Sequence, residues 1–158
     1  MPIKNLESIL GGNAESFDVD GIFKAPLHYA HVVAIDNGAN RLLKLSGMIG
    51  FDKDGKITDK ENVYAQAIQA IANIAKVIVG AASHYKINIK ESEALKLILY
   101  TRADVVELKN NAIAVNRAYE NSGMPARSRT MVGAPELPLG ALVEITAEAF
   151  FPYKENLK

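Results

Sequence analysis

The sequence predicts a two-layer α/β sandwich with element order β-β-α-β-α-β-β, on three observations. Two long segments carry apolar residues at helical spacing. Short apolar or alternating stretches, bounded by turn residues, flank and separate them. Both helices can lie on one face of a single sheet. The chain has 158 residues, enough for one domain, and it divides into an N-terminal arm, residues 1–24, and a single domain, residues 25–158. Four to six strands with helices on one side leave the other sheet face in need of cover, which a symmetric oligomer supplies.

Taken in order, residues 1–24 mix Gly, Asn, Ser and Asp with scattered apolar residues, an irregular arm with a helical turn at Asn5 to Leu10. "HVVAI" (His31 to Ile35) and "RLLKLSG" flank "DNGAN", whose Asn and Gly tolerate positive φ, so residues 30–48 read as a hairpin. "DKDGK" (Asp52 to Lys56) is a second turn. The first helix starts near Thr58 or Asp59, either of which can cap it, with Glu61 and Asn62 in its first turn. Ala67, Ile71, Ile74, Ile78 and Ala82 form its apolar stripe, and it runs to about His84. "ALKLILYTRA" (Ala94 to Ala103) alternates as a strand does. A second helix follows from about Asp104 to Asn121, with Val105, Leu108, Ala112, Val115 and Tyr119 inward. Gly123 and Pro125 end it. A last hairpin pairs Arg127–Ala134 with Ala141–Phe150 through a loop holding Pro135, Pro138 and Gly140.

Composition removes several classes of function. With no cysteine, there is no disulfide, thiolate metal site or cysteine nucleophile. Eighteen basic residues balance eighteen acidic ones without a basic stripe, so no nucleic-acid partner is expected. The N-terminus lacks a continuous apolar run of signal-peptide length. "AIQAIANIAKVIVGAA" is interrupted by Gln69, Asn73 and Lys76, so no membrane span is expected either, and a cytoplasmic protein is the default.

Few residues then remain for chemistry. "DKDGK" lacks the later ligands of a calcium loop and reads as a turn. His28 and His31 have no third ligand near them, so no metal is expected. Ser46-Gly47 at a strand end either presents backbone groups to a ligand or only lets the chain turn. Arg127 and Arg129 share one strand face, and Glu144 lies on the following strand. Arginine's planar fork matches a carboxylate with two parallel hydrogen bonds. On spacing alone, a cross-strand salt bridge or two solvated arginines is the plainer alternative.

"PARSRTMVGAPELPLGALVEITAEA" closely resembles the C-terminal signature of the RidA/YjgF family of reactive-imine deaminases, in which a Pro-Ala-Arg-Ser/Thr strand leads through a Leu-Pro loop into a Val-Glu-Ile strand. "YAHVV", "LSGMIGFDKDGKI", "QAIQAIANIAKVI" and "AVNRAY" are similar to further family segments, so the resemblance covers about residues 25–150. It implies a chorismate-mutase-like fold assembled as a homotrimer, with ligand clefts between subunits and no cofactor. It implies hydrolytic deamination of small 2-imino acids to 2-oxo acids and ammonia, a form of metabolite damage control. Carried over, Arg127 clamps the substrate carboxylate and Glu144 holds or activates the attacking water. Tyr29, Ser46, Gly47 and Asn116 line the cleft. Three positions depart from the pattern: Arg129 stands where a cysteine is familiar, Met48 where a glutamine follows Ser-Gly, and Thr146 where a second acidic residue stands. Arg129, on the face of Arg127, joins the substrate-binding set. The alternative is a noncatalytic trimer of the same fold that binds a small carboxylate or acts as a regulator.

Overall fold

The computed structural model describes residues 14–36 and 40–152. Six strands form one sheet: β1 (Ala14–Phe17), β2 (Val32–Asp36), β3 (Asn40–Ile49), β4 (Ile98–Val106), β5 (Ser128–Ala134) and β6 (Val143–Pro152). Their order across the sheet is β1-β2-β3-β6-β4-β5. All pairs are antiparallel except β4 with β5. Helix α1 (Val63–His84), the single turn α2 (Glu91–Ala94) and helix α3 (Leu108–Asn121) complete the chain.

Helix α1 buries the expected stripe, since Ala67, Ile71, Ile74, Ile78 and Ala82 are all inaccessible to solvent or nearly so. They meet alternate residues of the central strands: Leu43 and Leu45 from β3, Ala103 and Val105 from β4, Val143, Ile145 and Ala147 from β6. The helix starts later than its sequence suggests. Asn62, not Thr58 or Asp59, is the cap, accepting the Ala65 N–H at 3.0 Å, while Asp59 takes a left-handed φ of 45° in the preceding turn. Two buried amides tie α1 to the sheet. Gln66 donates to the Asp59 carbonyl and accepts the Leu142 N–H just before β6. Asn73 donates to the Ile49 and Phe51 carbonyls at the end of β3. Between them Gly50 lies against α1, where a Cβ would stand 2.7 Å from the Gln66 backbone, so the close approach requires glycine.

Further expectations are corrected. Residues 14–17, read as part of an irregular arm, form an edge strand paired with β2. Strand β4 runs from Ile98 to Val106 instead of Ala94 to Ala103, and α3 begins at Leu108 instead of Asp104. Val105, expected on the helix, is a core residue of the strand, and Ala112 is only half-buried. The last two strands do not form a hairpin: β4 lies between them, parallel to β5 and antiparallel to β6. The Pro/Gly loop therefore crosses the end of β4, turning through consecutive left-handed residues at Leu139 (φ 57°) and Gly140 (φ 71°). The 30–48 hairpin pairs as expected, with Val32 opposite Leu45 and Asp36 opposite Arg41. The helical turn at Asn5–Leu10 and the middle of the "DNGAN" turn lie outside the described residues.

Candidate functional site

Strand register places the candidate residues in two groups on opposite faces of the sheet. Thr101 pairs with Arg129 and is buried on the helix side, so Arg129 shares that face, and Arg127 follows by alternation. Asp104 pairs with Glu144, and Arg102 with Thr146, on the face that carries no helix among the described residues. Arg127 lies beside the start of β4 and Glu144 beside its end. At about 3.3 Å per residue, the five-residue offset separates them by roughly 16 Å along the strand. One chain does not bring the two together.

The first group surrounds a cavity of about 430 Å³ between β5 and α3, lined by Arg127, Arg129, Asn116, Tyr119 and Glu120 among others. Arg127 is anchored by its own backbone environment. Its Nε donates to the Ile98 carbonyl at 2.8 Å, Nη1 to Ala126 at 3.3 Å and Nη2 to Lys96 at 3.2 Å. A guanidinium has five N–H groups, so one remains on each terminal nitrogen, the number a bidentate carboxylate contact uses. Arg129 is held differently. Its Nη2 donates to Asn116 Oδ1 at 2.8 Å, and its guanidinium lies 4.5 Å from the Tyr119 ring centre. Asn116 in turn donates to Glu120 Oε1 at 2.7 Å. Neither arginine pairs with a carboxylate among the described residues, in contrast to Arg102, which forks onto Asp104. Burial raises the Tyr119 hydroxyl above the ordinary tyrosine range, against the lowering influence of Thr101 and the Arg129 charge.

The second group forms around an irregularity in β3. Between Leu45 and Met48 the register with β6 shifts, and Ser46-Gly47 occupies the bulge. Ser46 Oγ donates to the Ala30 carbonyl at 2.6 Å and its N–H to the His31 carbonyl at 3.0 Å, which fixes the Tyr29–His31 segment beside the bulge. Gly47 is not a simple turn residue: a Cβ there would overlap the Glu144 carboxylate. Tyr29 accepts the Ala25 N–H at 3.2 Å through its hydroxyl and sets its ring edge-on to His31. His31 is buried; its Nδ1 accepts the Val19 N–H, so Nε2 carries the proton toward the Phe23 carbonyl. Its role is structural, tying the Val19 and Phe23 backbone together.

Glu144 is half-buried, and its carboxyl is raised above the ordinary range, first by desolvation and then by the neighbouring Asp104 charge. A carboxylate with a raised pKa and little solvation is suited to take up and return a proton. Sequence reasoning missed Asp104, Arg102, Gln66 and Asn73. The sequence reads Asp104 as a helix start; the signal against that is that Thr101, Ala103 and Val105 extend the inward alternation past it. Among the described residues, no three His, Cys, Asp or Glu side chains gather as metal ligands.

The family model described as Endoribonuclease L-PSP matches residues 22–151. Among solved structures, the chain is similar to YyfA of Yersinia pestis, a member of the conserved Rid protein family. The two are 27% identical, with 86% of this chain and 98% of that one covered and a TM-score of 0.68. It is also similar to YEO7 of yeast, at 22% identity, with 86% and 97% covered and a TM-score of 0.70. The YjgF gene product of E. coli is 23% identical, with 85% and 97% covered and a TM-score of 0.65. The last two share the fold. The search of curated proteins returned no match.

Proposed function

This chain belongs to the RidA/YjgF family, and from that membership and the site geometry we propose that it hydrolyses small 2-imino acids to 2-oxo acids and ammonia. The cleft is completed between two copies of the chain in a homotrimer. The observation that carries the reading is the anchored Arg127 guanidinium. Held by three carbonyls and unpaired with any described carboxylate, it is preorganised to receive one. The separation of Arg127 from Glu144 within one chain supports the rest: a cleft using both draws them from neighbouring subunits.

In this reading the protonated imine, already electrophilic, is fixed through its carboxylate by Arg127. Glu144 of the neighbouring copy accepts a proton from water as the water oxygen attacks the imine carbon. It then returns the proton to nitrogen; as the carbon–nitrogen bond breaks and ammonia leaves, the carboxylate takes the hydroxyl proton so that the carbonyl forms, and the departing ammonia takes that proton up as ammonium. The Ser46-Gly47 bulge holds the backbone close to that carboxyl, and Tyr29 and Asn116 line the cleft. The endoribonuclease description of the matching family model is not carried over, because eighteen basic residues are balanced by eighteen acidic ones.

The test is a coupled assay in which an amino-acid oxidase or dehydratase releases the imine and semicarbazide traps what escapes. Purified protein is expected to lower the semicarbazone yield from 2-iminopropanoate and 2-iminobutanoate. If these and every other 2-imino acid supplied in the same way go untouched, the noncatalytic small-carboxylate-binding reading replaces this one.

A further inference from the structure

A single guanidinium is enough to hold the carboxylate shared by every 2-imino acid, yet two line this cavity. Arg127 and Arg129 are two positions apart on one strand face, about 6.6 Å between backbones. Neither charge is neutralised by a described carboxylate. Arg129 is not a loose surface side chain, because Asn116 and the Tyr119 ring fix its direction. Its hydrogen bond to Asn116 uses one of five N–H groups, leaving four for a ligand.

We propose that this cavity takes 2-imino dicarboxylates, four- or five-carbon 2-imino acids with a second carboxylate on the side chain, with Arg127 on the shared carboxylate and Arg129 on the second. The proposal rests on the imine-hydrolysis reading of the same site and names its substrate class. Charge agrees with it. Two arginines and Glu120 give the lining supplied by this chain, where both carboxylates would lie, one net positive charge, while Glu144 of the neighbouring copy stands at the imine end. A protonated 2-imino dicarboxylate carries one net negative charge, whereas a protonated 2-imino monocarboxylate carries none. Glu120 does not consume the Arg129 charge, since Asn116 stands between them, accepting from one and donating to the other. The reactions that supply such a substrate are oxidations of acidic amino acids at the α-carbon, which leave an imine beside two carboxylates.

The experiment compares two imines in the semicarbazide assay: the four-carbon 2-imino dicarboxylate released from aspartate by a flavin oxidase, and 2-iminobutanoate released from 2-aminobutanoate. A second charge-assisted pair is expected to favour the dicarboxylate by about tenfold or more in kcat/KM. In Arg129→Gln the ratio of the two should collapse toward one. A merely structural role for Arg129 would lower both rates together and leave the ratio in place, which overturns the proposal. Hydrolysis of 2-iminobutanoate with no preference for the dicarboxylate overturns it too, while leaving imine hydrolysis standing. If neither imine is hydrolysed, the hydrolysis reading falls, and calorimetry with succinate and butyrate decides the cavity's ligand class. Tighter succinate binding that Arg129→Gln abolishes supports the dicarboxylate site, and equal binding overturns it.

Discussion

Glu144 and Asp104 face one another across β6 and β4 without a cation between their carboxyls, and Asp104's own counter-charge, Arg102, lies two residues along its strand. From β3, Gly47 comes against the Glu144 carboxyl and Ile49 is its register partner, neither of them titratable, and Lys44 is bound to Glu148. If Glu144 must be ionised to take a proton from water, activity rises with pH through its raised pKa. Asp104→Asn removes a like charge and leaves Arg102 unpaired, so both changes lower that pKa. The acid limb of the kcat/KM profile should therefore move to lower pH; an unmoved limb would mean that Glu144 is not the titrating base. The same shift has a stability sign. A carboxyl raised in the folded state contributes stability that is full below its ordinary 4.5 and is lost as pH rises through the folded value. Glu144→Gln should then raise Tm more in neutral buffer than in acid. At this scale the resemblance of their flanking motifs makes Arg127 and Glu144 candidates, whereas nothing local marks Asp104. Its significance depends on a neighbour forty residues away in sequence, and locally an aspartate before an apolar run reads as a helix cap.

Between elements, the buried amides of α1 matter most. Asn73 donates to two carbonyls at the end of β3, and Gln66 holds the Leu142 N–H at the start of β6. These are the strand ends that carry the Ser46-Gly47 bulge and Glu144. Asn73→Ala removes both donors in a buried setting and should cost about 1–3 kcal/mol in urea denaturation. Gln69→Ala, which removes the donor to Asn73 Oδ1 but leaves the Asn73 bonds to the Ile49 and Phe51 carbonyls in place, should cost less. Equal losses would mean that the Asn73 bonds to β3 contribute nothing beyond helix packing. The helical stripe of α1 was readable because its burial follows a 3.6-residue period. The amides were not: Gln and Asn interrupt the apolar pattern, and only the tertiary contact explains why they are inside. The parallel β4–β5 pair was also hidden, since a Pro/Gly loop between two strands has the same local chemistry whether or not a third strand intervenes.

Among the described residues the helices lie on one face of the sheet, while its other face presents Glu144, Asp104, Arg102 and Thr146 from adjacent strands. The element order leads to the expectation of a partner on that face, and the family resemblance to the expectation that three copies assemble. What the sequence did not convey is that the candidate residues divide between faces, because alternation fixes sides within a strand but not between strands of unknown order. That division makes the central claim testable by mixing. Arg127→Lys keeps a charge but loses the fork, at a cost of about 2–4 kcal/mol, or roughly 30- to 1000-fold in kcat/KM. Glu144→Gln removes the proton acceptor. Each variant alone should be a nearly inactive trimer by light scattering. Unfolded together and refolded as mixed trimers, they should regain about one quarter of wild-type imine hydrolysis. In a random mixture that fraction of clefts pairs an intact Arg127 from one chain with an intact Glu144 from its neighbour. A mixture that contains mixed trimers yet stays as inactive as either parent would contradict a site shared between chains.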